Sequence, residues 1–425
     1  MSTISSRPAD EYSLPDSPAD DGDGGPEGDG LKQWTQRAAR RFGPALAVFG
    51  VLKLLGFTTF MYLLDASGDF RTKEYRYGGA AHVWDVLQSW DGWWYQQVAE
   101  KGYHPQLVPL AAGQMMTVDQ NSAAFFPLYP GLMRLVSDCT GLGLYGAGML
   151  VSVVSSFVAA AGIFAVTAKL TDRRTGIIAA AVWAVFPGSG AEWAVYSDSL
   201  FVALAAWACY AVLTRRWVEA GVITLVAGLN RPTASALIAA LGVAALIALY
   251  QRRDGILRPL VAMLISPLGL FGYVFWVGWR MGDLTGYFTL QRGAWLHFFD
   301  YGQHTANVLR GVLFGHSDYL FGYPTEDLIA VLLVLTLPVL LFLLVRLRTP
   351  AFLIVYTLVT IVMVLGSQQI FGNTSRYLLP AFPLFVPLAV ALRRVSLPSL
   401  VMIFGLTAAA SGWYAGYVIF ELGVP

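Results

Sequence analysis

Apolar side chains run along this chain in long stretches, near 44–64, 143–168, 176–190, 197–214, 217–229, 233–250, 258–279, 327–346, 350–366, 376–392 and 397–418. A stretch of roughly 20 apolar residues is the length a helix needs to cross a bilayer. The pattern predicts an all-α fold, a polytopic transmembrane helical bundle of about 11 spans. Composition agrees, since 56% of the residues are hydrophobic and 13% charged, which excludes an ordinary soluble domain and a disordered scaffold. Cys139 and Cys209 lie in different segments, which excludes a disulfide framework and the usual thiolate metal sites.

Charge adds sidedness. Residues 1–30 carry eight acids against Arg7 alone, so this stretch is net −7 and the remainder +8. Residues 1–35 are expected to be a disordered acidic tail, and without a basic start and apolar run they are no secretory signal. Residues 36–425 form the membrane domain. Its basic clusters are Arg37/Arg40/Arg41, Lys169/Arg173/Arg174, Arg215/Arg216, Arg252/Arg253/Arg258, Arg346/Arg348 and Arg393/Arg394. Lys and Arg in short loops accumulate on the cytoplasmic side, and a cytoplasmic N-terminus puts every cluster there. The opposite side then receives 65–142, Phe186–Ser197, Asn230–Pro232, Arg280–Asp327 and Ser367–Arg376. Loops as long as 65–142 and 280–327 tend to be functional. Arginine outnumbers lysine 23 to 5 beside much Ala, Gly and Val, which points to a bacterium with a GC-rich genome. The expected location is therefore a bacterial plasma membrane, and no nucleic-acid partner is expected.

Most of the remaining polar chemistry falls on the outer side. In Ser89-Trp90-Asp91-Gly92-Trp93-Trp94-Tyr95, one helix over 82–100 would set Asp91 on an apolar stripe with Trp84, Leu87, Trp94 and Val98. Partial burial there would suit it to act as a general base; equally, Asp91 could cap a helix beginning at Gly92. Trp94 and Tyr95, with Trp90 and Trp93, fit a sugar-stacking platform or an ordinary interfacial belt. Pro127 and Pro130 rule out a plain helix through Asn121–Pro130 and favour a re-entrant or kinked segment. Glu192 and Asp198 put acids at the mouth of two spans, where Asp198 could instead cap the span starting at Ser199. Arg231 and Arg376 stand at outer span ends, against the charge bias. A guanidinium there suits bidentate contact with phosphate or snorkelling to headgroups. Arg292 lies in the second long loop, as do His297, His304 and His316, whose spacing fits no metal pattern.

The order Trp90-Asp91, Tyr95, Val98-Ala99, Gly102-Tyr103, then Ala124-Phe125-Phe126-Pro127 and Tyr129-Pro130, then Tyr196-Ser197-Asp198-Ser199-Leu200-Phe201 resembles the PIG-V mannosyltransferases. That family contains the second mannosyltransferase of glycosylphosphatidylinositol synthesis and bacterial relatives. The likeness runs in order from about residue 45 to 380 and is most specific in the first outer loop, thinning beyond Phe201. It implies a GT-C glycosyltransferase whose long first extracytoplasmic loop carries amphipathic helices. The enzyme it implies is inverting, takes mannose from a polyprenyl-phosphate donor, and passes it to a lipid or lipoglycan acceptor on the extracytoplasmic face. Asp91 then matches the catalytic carboxylate. Two departures are Asp198, where relatives tend to carry Glu, and Arg231-Pro232-Thr233, in place of an Arg-Ser-Asn-like segment.

A polyprenyl phosphate leaves without a strong general acid but gains from positive charge on its oxygens. Arg231, Arg376 and Arg292 are the candidates for that charge, and Asp198, Glu192, Trp94, Tyr95 and Tyr103 for contacts to sugar or acceptor. No metal cofactor is required, although a divalent ion bridging Asp91 and Asp198 would also fit. The competing expectations are transfer of another polyprenyl-phosphate sugar, a lipid-linked sugar flippase or transporter, and a noncatalytic partner in envelope assembly. A transporter would carry charges on broken helices at mid-membrane depth.

Overall fold

The computed structural model describes residues 27–252, 254–315 and 324–425. Arg253, His316 and residues 1–26 of the acidic tail lie outside the described residues. The chain divides into two units, 1–43 and 44–425. Of the first, the described part is the start of helix α1 (Glu27–Ser67), so residues 27–35, expected to be disordered, are helical.

The second unit is built from helices. After α1 come α2 (Asp91–Lys101), α3 (Leu128–Thr140), α4 (Leu144–Leu170), α5 (Arg173–Ala184), α6 (Asp198–Leu213), α7 (Trp217–Gly228) and α8 (Ala234–Gln251). They continue as α9 (Leu257–Ile265), α10 (Leu268–Met281), α11 (Gly286–Trp295), α12 (Gln303–Phe314), α13 (Pro324–Arg346) and α14 (Ala351–Leu365). The last are α15 (Thr374–Tyr377), α16 (Phe385–Leu392) and α17 (Leu397–Trp413). A two-residue antiparallel ribbon, Phe298–Phe299 against Ser367–Gln368, ties the second long loop to the end of α14.

The chain is a multi-pass helical membrane protein, and fewer than eleven of its described helices pass a length test on their own. Among the described residues six helical stretches are long and apolar enough to cross a membrane, or up to 8 if two sharply bent pairs each count as one. The apolar runs near 176–190 and 217–229 form helices of 12 residues each. A 12-residue helix rises about 18 Å, well short of a hydrocarbon core of about 30 Å. Helix α14, with 15 residues, also falls short.

Inside the bundle, α4 packs on α5 and α6, and α6 on α7. The buried faces of α4 and α6 are made largely of small residues, among them Ser152, Ser155, Ala159, Ala205 and Ala206, which let the backbones approach. The basic clusters expected on one side meet in pairs. Arg174 donates to the Val395 carbonyl at 2.7 Å, Arg393 lies 3.5 Å from Asp172, and Arg215 lies 3.4 Å from Asp254.

Two helix pairs in the bundle are sharply bent. A short turn of helix at Pro187–Trp193 meets α6 at 107°, and Phe371–Tyr377 meets the stretch Phe382–Leu392 at 80°. Each bend places charged residues at its corner, Asp198 in one and Arg376 in the other.

Candidate active site

Asp91 opens α2 after a break in the chain. A single helix over 82–100 is not formed, because 3-10 turns over Val83–Gln88 stop at Ser89 and Trp90 has φ 54°. That left-handed backbone in a bulky residue costs on the order of 1–3 kcal/mol and persists only where surroundings hold it. They do: the Trp90 amide donates to the Arg76 carbonyl at 2.9 Å, and the Val195 amide to the Leu87 carbonyl at 2.9 Å. Gly92 lets the start of α2 press on Val195, whose Cβ would lie 3.3 Å from a side chain at that position. Trp90, not Asp91, holds the cap position of α2, and the Asp91 carboxylate, in the first turn, accepts from Arg376.

It pairs with Arg376, which, like Arg231 beside it in the cavity, comes from a distant segment. Arg376, on α15, donates through Nη2 to Asp91 Oδ2 and, at 2.9 Å, to Asp198 Oδ2. Its Nε reaches both Asp198 oxygens at 3.3 Å, and its guanidinium lies 4.3 Å from the centre of the Tyr196 ring. Arg231, in the short link between α7 and α8, pairs through Nη1 with Asp198 Oδ1. The link is braced by Asn230, which donates to the Ser197 carbonyl at 3.0 Å, and by the Leu128 amide, which donates to the Leu229 carbonyl at 2.9 Å. Burial works against the charge of Arg231, and Asp198 more than offsets it, raising the guanidinium's pKa. Gly188 sets the position of Arg376, since a Cβ there would collide with the backbone of Ser375 and Arg376.

Asp91, Arg231 and Arg376 line one cavity of about 560 Å³. Its walls include Trp90, Trp94, Tyr95, Phe125, Phe126, Tyr287 and Trp295, and its polar edges Gln120, Asn230, Gln291, His297 and Gln369. Trp94 stacks on Phe125 with ring centres 5.6 Å apart. Tyr95 shares a hydrogen bond of 2.7 Å with Ser197, and burial followed by the nearby Asp91 raises its phenol well above its usual value. It therefore serves as a neutral hydroxyl. His297 reaches the cavity from the far end of the second long loop. The His297 residue is exposed at the cavity edge, and desolvation by the ring's surroundings followed by the charge of Arg231 lowers its pKa to about 4, so near neutrality it offers an uncharged imidazole.

The two aspartates differ in access. The Asp198 side chain is 1% exposed and sits behind the arginines, whereas 29% of the Asp91 side chain remains open. Asp198 is thus neither a helix cap nor a cavity-lining residue but the shared counter-ion of two guanidiniums. Glu192 is also absent from the lining: it is sealed under the wall against Lys53 Nζ at 2.9 Å, which donates to the Ser189 carbonyl as well. Tyr103 points away, its hydroxyl donating to the Phe125 carbonyl and its ring against Tyr273 and Trp276. Arg292 is exposed and lies over the Phe298 ring, because its place near the end of α11 turns it outward, and it does not reach the cavity. Among the described residues no three His, Cys, Asp or Glu side chains form a metal-binding group.

Sequence reading passed over Arg76, which lines the same cavity, and left His297 without a role. The signal for Arg76 was there, since it is an arginine on the expected outer side, as are Arg231 and Arg376.

No protein-family model matches the chain, and no curated protein does. Among solved structures, ArnT from Cupriavidus metallidurans bound to undecaprenyl phosphate aligns with a TM-score of 0.45 at 16% identity, over 78% of this chain and 64% of that one. The Archaeoglobus fulgidus oligosaccharyltransferase tethered to an acceptor peptide aligns at 0.45 and 13% identity, over 88% of this chain and 55% of that one. The same archaeal enzyme with an inhibitory peptide and a dolichol-phosphate aligns at 0.40 and 12% identity, over 89% and 55%. The chain spans less than two thirds of the length of each.

Proposed function

We propose that this chain is an inverting membrane glycosyltransferase of the GT-C type that takes mannose from a polyprenyl-phosphate donor and passes it to a lipid or lipoglycan acceptor. The observation that carries the reading is the meeting of one accessible carboxylate with a buried and a half-buried guanidinium around an aromatic-walled cavity. In the proposed step the acceptor hydroxyl oxygen attacks the anomeric carbon. The bond from that carbon to the phosphate oxygen breaks with its electron pair, and the acceptor proton passes to Asp91. Arg231 and Arg376 would balance the charge that builds on the departing phosphate. Asp91, not Asp198, is placed as the base because only it is open to the cavity. Trp94 and Tyr95 would contact the sugar, and no step calls for a metal.

Mannose, and the bacterial plasma membrane with the cavity facing outward, rest on the PIG-V resemblance and on the distribution of basic clusters. The pairing of Arg174 with Val395 and of Arg215 with Asp254 supports that sidedness, because clusters assigned to one face lie together. The test is transfer of labelled mannose from a polyprenyl-phosphate donor by membranes holding the wild-type chain or Asp91→Asn at equal protein level. Label in the wild type alone supports the reading; equal label in both removes Asp91 from the chemistry.

One observation favours a second reading. Asp198 and Arg376 sit at the corners of sharply bent helix pairs, the arrangement expected of a carrier for lipid-linked sugars. Movement of a labelled lipid-linked sugar across vesicles holding the protein, with no transferred product, would select it.

A further inference from the structure

Arg231 and Arg376 share Asp198, and Arg376 also holds Asp91, so two guanidiniums at the cavity floor meet two carboxylates. Arg76 stands apart. It lines the same cavity, yet its hydrogen bond goes to the neutral amide of Gln120, and no ion pair is found for it among the described residues. The side-chain charge around the cavity is thus one positive unit in excess, and Arg76 carries it. Its Nε is buried without a hydrogen-bond partner, an unfilled donor in a place cut off from solvent.

The guanidinium is also fixed. Its central carbon lies 4.7 Å from the Trp93 ring centre, 4.6 Å from that of Trp94 and 5.1 Å from that of Tyr77. The Trp93 and Trp94 rings stand at 86° to each other, so they enclose the guanidinium from two directions and hold its position, and a guanidinium so held can offer its remaining N–H donors to a phosphate. Trp94 meanwhile stacks on Phe125 in the cavity wall, so Arg76 is built into the same aromatic surface a sugar would lie on.

We propose that Arg76 binds a phosphoryl oxyanion carried by a substrate in this cavity, as a second anion point separate from Arg231 and Arg376. The proposal rests on the transferase reading for the identity of the cavity. The phosphate belongs either to the polyprenyl phosphate of the donor or to the headgroup of a phospholipid acceptor, and the two sources are separable.

The test uses the full chain in nanodiscs and reads binding without turnover. Undecaprenyl phosphate, its neutral analogue undecaprenol and phosphatidylinositol are titrated against wild type, Arg76→Gln and Arg76→Lys. Loss of one charge-assisted hydrogen bond corresponds to about a tenfold loss of affinity. Arg76→Gln should weaken one of the two phosphate lipids by about tenfold, leave undecaprenol unchanged, and be partly restored in Arg76→Lys. The lipid that loses affinity names the source. If Arg76→Gln does not fold, Arg76→Lys alone decides, with a selective loss for one phosphate lipid expected. Unchanged binding of both phosphate lipids, an equal loss for undecaprenol, or no binding of either phosphate lipid to wild type overturns the proposal. Selective loss in a chain that transfers no sugar would instead sink the transferase reading and keep this one.

Discussion

The arginine–aspartate pairs at the basic loops and those around the cavity obey different physics. At the basic loops, Arg393 with Asp172 and Arg215 with Asp254 are pairs in which the arginine side chain is 33% and 57% exposed. Around the cavity, Arg376 and Asp198 are 3% and 1% exposed. Charges left in water interact weakly, and either partner can be rehydrated when the other is lost. Buried charges have no such recourse, so each depends on its partner for its place and its protonation state. The loop arginines can exchange a partner for water, while the cavity arginines are held by their shared carboxylates.

That contrast can be broken in several places. The largest effect should come from Asp91→Asn, which keeps the shape beside Arg376 but removes the proton acceptor. Transfer should fall by about 10²–10⁴-fold with normal protein level, and an unchanged rate would detach the quartet from catalysis. Next, Asp198→Asn leaves the two guanidiniums with Asp91 alone. Thermal unfolding in detergent should show a loss of about 3–5 kcal/mol, and wild-type stability would mean the site is wetter than described. Arg376→Gln should lower kcat by about 10²–10³-fold while the protein still folds, since a donor aimed at the leaving group is lost.

His297 gives a smaller and pH-dependent effect. Its folded pKa, about 4, lies below its ordinary value of 6.5, so in between the unfolded chain binds the proton and the folded chain does not. Stability should be complete above about pH 6.5 and decline as the pH falls toward 4, and His297→Gln should flatten that slope in a melting-temperature series. The same histidine stays neutral between pH 7 and 8, so the variant should leave the pH profile of transfer unchanged there. The smallest effect belongs to Arg393→Gln at the basic end, expected to cost about 0.5 kcal/mol or less; a cost as large as that of Asp198→Asn would erase the distinction between the two regions.

How much of this was legible in the sequence depends on distance along the chain. The helical membrane character was plain from apolar runs, and Arg231 and Arg376 stood out because they break the charge bias. Their partner Asp198 reads in sequence as a substrate contact or a helix cap and not as a shared counter-ion, for its arginines come from 33 and 178 residues away and no local pattern announces such a meeting. Glu192 was read as a substrate contact, although Lys53, a lone lysine inside the first apolar run, was the visible hint of a buried pair. Arg292 shares the outer side with Arg231 but not the cavity, since the sequence gives sidedness and not the rotation of a helix. The number of spans was less legible for a related reason. Hydropathy reports burial, and short helices packed among others are as apolar as those that cross a bilayer.

Gly188 bears on how natural variation in this chain should be read. It has no charge, no hydrogen-bonding side chain and no place in the cavity lining, so a change to alanine would pass as conservative in any survey of variants. Yet the added methyl would enter the backbone that carries Arg376. An inherited or selected substitution there would shift the segment that carries Arg376, so a silent-looking position governs the charge geometry of the cavity from outside it.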